Sequence, residues 1–215
     1  MNRRDPGEPF GPASDAAIDA FRELGARLLA ISRDPLVVLV APVTAGSGAS
    51  HVARNLAATI ASGEQQPAVL VDCDLRHPSQ QAAFRVAPAN GGLADYLEDA
   101  QRAPDNLLHD SGVPRLRLLP AGVPRDSDAG YSSPSRMRQL VDTLRDATPG
   151  CHVFLDAPPV RSGPGARNLS ALADVVILVA GYGRDTPAAI AQAAANFDPG
   201  KFAGVVRGHP AGVAG

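Results

Sequence analysis

Six short apolar runs, each followed or preceded by a helical pattern, constrain this chain more than anything else in it. The runs are Leu36–Val40, Ala68–Val71, Leu116–Leu119, Val153–Leu155, Val175–Ala180 and Phe202–Val206. Most are nearly continuous in Val, Leu and Ile rather than alternating with polar residues, which is how strands buried on both faces read. Between them, Ala16–Ile31 places Ile18, Phe21, Leu24 and Leu28 on one stripe, and Ser50–Ala61 follows the first run. Ser133 and Pro134 form an N-cap followed by a proline at the first helical position, with Met137, Leu140, Val141 and Leu144 at helical spacing beyond. Thr186–Asn196 reads as a further helix. Buried strands alternating with helices predict an α/β fold built on one doubly wound, mostly parallel sheet. Pro120–Ser132 is rich in Gly, Pro, Asp and Ser and reads as a long loop.

The 215 residues suffice for one well-cored domain with short tails, expected as a domain over 15–206 between flexible segments 1–14 and 207–215. No run approaches the roughly 18–20 apolar residues that span a bilayer. The polar, Pro- and Gly-containing start reads as a tail rather than a leader, so a cytoplasmic protein is expected. A net charge of −2 argues against a nucleic-acid-binding surface. Cys73 and Cys151 lie in separate apolar runs and read as small buried residues. Nineteen of the twenty basic residues are arginine, and Lys201 is the single lysine.

Three strand ends carry candidate chemistry. The first run leads into Ala41-Pro-Val-Thr-Ala-Gly-Ser-Gly-Ala-Ser50 and then a helix. A glycine-bearing loop at a helix N-terminus cradles phosphate, because its backbone N–H groups and the helix dipole both favour an anion. The usual pattern ends Gly-Lys-Ser/Thr. Gly48 and Ser50 fit it, but Ala49 takes the lysine position and Val43 the first glycine, so a plain tight turn competes as a reading. The second run ends in Asp72-Cys-Asp74, two carboxylates at the ligand-facing edge of such a sheet, able to hold Mg²⁺ and accept a hydroxyl proton. Asp156 ends the fourth run and sits where a Mg²⁺-holding aspartate belongs, with Pro158 and Pro159 stopping the strand. Together, in this order, the three elements predict a P-loop nucleotide-binding fold. His51 reads as a solvated first-turn histidine or a phosphate contact, and Arg54 as a surface residue or a substitute cation.

Over residues 15–206 the chain resembles the bacterial tyrosine kinases of capsule and exopolysaccharide synthesis, relatives of the MinD/ParA ATPases. The resemblance is carried by Ala20-Phe-Arg-Glu-Leu24, Val52-Ala-Arg-Asn-Leu-Ala57, Asp72-Cys-Asp-Leu-Arg-His-Pro78 and Gly92-Leu-Ala-Asp-Tyr-Leu97. Leu118-Leu-Pro-Ala-Gly122, Ser132-Ser-Pro-Ser-Arg-Met-Arg138, Asp156-Ala-Pro-Pro-Val160 and Leu172-Ala-Asp-Val-Val-Ile-Leu-Val179 continue it. The resemblance implies that Gly46, Ser47, Gly48, Ala49, Ser50 and His51 hold the phosphates of ATP or ADP. It implies that Ser50, Asp74 and Asp156 serve Mg²⁺, and that Asp72 is the base.

It also implies an inner-membrane polysaccharide co-polymerase (a chain-length determinant) as partner, which would hold this chain at the membrane, and a capacity to form homo-oligomers. Several positions depart from the family pattern. Besides Ala49, Asp19 and Gly25 leave the ring-forming Glu-x-x-Arg-x-x-Arg motif incomplete. Gly208 replaces an adenine-facing asparagine, and Gly165 stands where an aspartate is common. Tyr96, Tyr131 and Tyr182 are the only tyrosines, so a C-terminal tyrosine cluster is absent from this sequence. The expected function is a kinase-like regulator of polysaccharide export with weak or no kinase activity. An active tyrosine autokinase and a MinD/ParA-like ATPase that positions a secretion or cellulose-synthesis machine are the alternatives.

Overall fold

The apolar runs do pair into one sheet with a helical layer on each face. The computed structural model describes residues 15–63, 66–89, 91–125 and 134–208. In chain order these form α1 (Asp15–Leu29), β1 (Val37–Pro42), α2 (Ala49–Ser62), β2 (Ala68–Asp72), α3 (Gln80–Phe84) and α4 (Leu93–Glu98). There follow β3 (His109–Asp110), β4 (Leu116–Leu119), α5 (Pro134–Ala147), β5 (His152–Asp156), α6 (Gly165–Ser170), β6 (Val175–Gly181), α7 (Pro187–Ala194) and β7 (Phe202–Gly208). The strands lie in the order β3-β4-β2-β5-β1-β6-β7. Every neighbouring pair is parallel except β3 with β4.

Side chains alternate across the sheet, so each central strand feeds two cores. Val37, Leu39, Val71, Leu155 and Leu178 face Met137, Leu140 and Leu144 of α5 and Leu169 of α6. Val38, Val40, Leu70, Phe154 and Ile177 face Leu28 of α1 and Val52, Leu56 and Ile60 of α2. All residues of β1, β2, β5 and β6 are buried, which accounts for their unbroken apolar character. Cys73 and Cys151 are both buried and unbridged.

All six expected strands are present. β7 continues to Gly208, two residues past the apolar run, so the expected flexible tail from 207 does not begin there. The two-residue β3 is an addition. The remaining expected tail residues, 1–14 and 209–215, lie outside the described residues, as do the Ser133 cap and loop residues 126–132. Thr186 caps α7, its side chain accepting from Ala189 N. Among the described residues, no helix is long and apolar enough to cross a membrane.

Strand order positions the site. β1 lies between β5 and β6, and β5 lies between β1 and β2, so the loop leaving β1 and the ends of β2 and β5 come out side by side. Leu39, at the centre of this arrangement, is fully buried, whereas Val205 on edge strand β7 is 44% exposed. Leu39→Ala should cost about 2–5 kcal/mol in urea unfolding, and Val205→Ala less than about 0.5 kcal/mol. Similar losses at the two positions would contradict this placement of the core.

Candidate functional site

The loop from β1 to α2 is shaped by two glycines. Gly46 has φ 78° and Gly48 φ 86°, left-handed values that glycine reaches without a steric penalty. Ser47, between them, is buried, and its N–H donates to Thr44 O at 3.3 Å. Its hydroxyl lies 2.6 Å from Thr44 O and 3.0 Å from Asp185 Oδ2, its one proton serving either. The first helical bond of α2 runs from Val52 N to Gly48 O. The N–H groups of Ala49, Ser50 and His51 therefore precede the α-helical ladder, at the positive end of the α2 dipole.

The turn after β6 clasps this loop. Asp185 accepts from Thr44 Oγ1 at 2.7 Å and from Gly181 N at 2.7 Å, and these bonds, with the Ser47 hydroxyl and the nearby Arg184, hold its pKa down against partial burial. Arg184 Nη1 donates to Gly46 O at 3.3 Å. From the other side, the end of β7 presses on the loop. A Cβ at Gly208 would fall 2.1 Å from Ser47 O and 2.9 Å from Val179 Cγ1. With the loop in this position, residue 208 can only be glycine, which gives a physical reason for the departure from asparagine there.

Beside the loop lies a pair of buried carboxyls. Asp72 and Asp156 are register partners at the ends of β2 and β5, and both are wholly buried. Asp72 Oδ2 accepts from Ser79 N at 3.0 Å and Gln80 N at 2.9 Å, and its Oδ1 from Asp74 N at 3.2 Å. Asp156 Oδ2 accepts from Gln80 Nε2 at 2.6 Å, and the Ser50 hydroxyl also bonds to this carboxyl. Asp156 Oδ1 is buried with no hydrogen-bond partner.

Gln80 joins these parts: its amide also donates to Ser50 O at 3.0 Å, while its Oε1 accepts from Arg54 Nη1 at 3.1 Å. Burial pushes both carboxyls up, Asp72 to about 8, where the Asp156 charge adds to burial, and Asp156 to about 6. Both Asp72 oxygens already receive backbone N–H groups, so a proton held by the pair fits best on Asp156 Oδ1. Burial lowers the Arg54 pKa, while the charges of Asp156 and Asp72 oppose that.

The structure thus brings Gly46, Ser47, Gly48, Ala49, Ser50, Asp72 and Asp156 to one sheet edge. One expectation changes. The His51 ring is half-buried rather than solvated, 6.0 Å from the Phe21 ring of α1 and near Asn55 Nδ2, and burial lowers its pKa. Asp74 accepts from Arg76 N and His77 N through Oδ1, bonds that do not engage its other oxygen. Among the described residues, no group of three or more His, Cys, Asp or Glu could hold a metal by itself.

Mg²⁺ carried in with a nucleotide needs only one or two protein oxygens. Ser50 Oγ beside the orphaned Asp156 Oδ1 meets that need. Ala49 is 3% exposed, and its methyl packs in the apolar cluster with Val52 and Ala53. Gln80, Arg184 and Asp185 gave no sequence signal. Each is an ordinary polar residue whose relevance comes only from contacts as far as 141 positions away.

Comparison with known proteins agrees with this geometry. No protein-family model matches the chain. It is 33% identical over 175 residues, 80% of its length, to a protein named as a tyrosine-protein kinase, EpsB of Ralstonia solanacearum. The chain belongs to the bacterial tyrosine-kinase family. It covers 22% of the length of that relative. The kinase domain of the Escherichia coli tyrosine kinase ETK superposes with a TM-score of 0.79 at 22% identity, over 100% of this chain and 85% of that one. The septum site-determining protein MinD of Pyrococcus horikoshii, solved with Mg-ADP, shares the fold at a TM-score of 0.52 and 20% identity, over 69% of this chain and 58% of that one.

The carboxyl pair makes stability depend on pH. Both pKa values are raised on folding, so the folded chain binds more protons than the unfolded one above about pH 4. The stability that these groups contribute is complete below that pH and is lost as pH rises through about 6 and about 8. Asn at 156 mimics the protonated form. Without nucleotide or Mg²⁺, Asp156→Asn should therefore gain stability relative to the unaltered chain between pH 5 and pH 9, read from urea midpoints. A difference that stays constant over this range would contradict the raised pKa values.

Proposed function

We propose that this chain is a nucleotide-binding, kinase-like cytoplasmic component of a bacterial exopolysaccharide or capsule export system. In this reading it regulates an inner-membrane polysaccharide co-polymerase, lies at the membrane through that partner, and has little or no tyrosine kinase activity. The observation that carries the reading is Ala49. Phosphoryl transfer depends on positioning and on neutralising charge at the transferred group. At the lysine position this chain places a methyl packed in the core. By analogy with other charge-stabilising groups, such a loss slows transfer by roughly 10²–10³-fold.

The rest of the cradle supports retained binding of ATP or ADP with Mg²⁺, at weak affinity. The N–H groups at the start of α2 would take the phosphates, Ser50, Asp74 and Asp156 would serve Mg²⁺, and Asp72 would be the candidate base. Mg²⁺ supplies charge neutralisation when bound. Self-association by the family's ring motif is weakened: Arg22 pairs with Asp19 at 3.2 Å within α1, and Gly25 packs over α2. The Ser50–Asp156 bond favours one second reading, an active autokinase, because those two residues would serve Mg²⁺ in transfer.

Incubation with labelled ATP and Mg²⁺, with and without the cytoplasmic tail of a co-polymerase, separates the two. The expected result is no phosphotyrosine on the unaltered chain and a gain of ATP hydrolysis in Ala49→Lys. Strong phosphotyrosine on the unaltered chain, abolished by Asp72→Asn, would establish the autokinase instead.

A further inference from the structure

We propose that Arg184, on the turn after β6, is the phosphate-facing cation of this loop and supports the binding of nucleotide rather than transfer. The inference rests on the nucleotide-binding reading above. Arg184 lies directly over the loop: Nη1 is 3.3 Å from Gly46 O and would be 2.7 Å from a Cβ at position 46, so the glycine permits the approach. The backbone beneath it is fixed. The N–H groups of Arg184 and Asp185 both donate to Gly181 O at 3.1 Å, and Asp185 binds Thr44, Ser47 and Gly181. The neighbouring carboxylate is thereby engaged by these donors.

A guanidinium carries five N–H donors in a planar fork that matches phosphate oxygens, so one bond to Gly46 O leaves donors for a ligand. Arg184 is exposed, so it reaches a phosphate without first breaking a buried ion pair. Other cations are placed differently. Arg54 faces Gln80 and the charges of Asp72 and Asp156, and Lys201 Nζ lies 3.4 Å from Ser170 O.

The test is calorimetric titration of ADP with Mg²⁺, and of adenosine, into the unaltered chain, Arg184→Ala and Arg184→Lys. Loss of a charge-assisted hydrogen bond should weaken ADP binding by about tenfold or more in Arg184→Ala. Adenosine binding should be unchanged, and Arg184→Lys should recover most of the ADP affinity. Added salt should weaken ADP binding more in the unaltered chain than in Arg184→Ala. Equal ADP affinities for the unaltered chain and Arg184→Ala would overturn the assignment while leaving nucleotide binding intact. Equal losses for ADP and adenosine would overturn it too, because the effect would then be on loop shape. An unaltered chain that binds no ADP would overturn the nucleotide reading, and this inference with it.

Discussion

Two carboxyl groups at the tips of neighbouring parallel strands, both cut off from solvent, have to be satisfied before this sheet edge can form. Burying one ionised carboxylate without partners is costly, and burying two side by side adds their repulsion. The chain meets the cost in three ways. Backbone N–H groups of residues 74, 79 and 80 converge on Asp72. The Gln80 amide and Ser50 hydroxyl cover Asp156. Arg54 adds a positive charge nearby. The position of α3, the start of α2 and the exit of β2 all follow from these contacts. The same contacts leave a single carboxyl oxygen, Asp156 Oδ1, next to the hydroxyl where a cation bound with phosphate would sit.

The loop beside this pair is braced by three strand ends rather than by its own sequence. It leaves β1, is tied to the end of β6 through Asp185, and touches the end of β7 at Gly208. The departures from the family pattern then fit together physically. Gly208 is needed because Ser47 O occupies the space of a side chain, in a loop whose Gly46 takes a left-handed φ of 78°. Ala49 contributes to the apolar layer under α2 instead of reaching back to the loop. We therefore regard the cradle as adapted to hold a phosphate group without the lysine that makes transfer fast.

How much of this could be read from the sequence depended on whether the signal was local. Strands β1, β2, β5 and β6 were legible because burial on both faces leaves Val, Leu and Ile in unbroken runs. Asp72 and Asp156 were legible because they end such runs. β3 was not, since His109 and Asp110 pair with β4 over only two residues and carry no apolar pattern. Gln80 could not be anticipated, because a glutamine at a helix start is ordinary until its amide is seen on Asp156, 76 positions away. The clasp of Asp185 and Arg184 on residues 44–47 is likewise invisible along the chain. The burial of His51 is not legible either, because nothing local reveals that Phe21 of α1 comes to rest against it.

The central claim is that binding and transfer are separated in this cradle. The most direct test measures both on one preparation, with MgATP titrated into the unaltered chain and phosphate release followed under the same conditions. The account predicts saturable binding with a dissociation constant in the range of about a micromolar to a millimolar, and phosphate release roughly 10²–10³-fold or more below the rate of working kinases. Turnover in the range of roughly 1–100 per second that working kinases reach would contradict it.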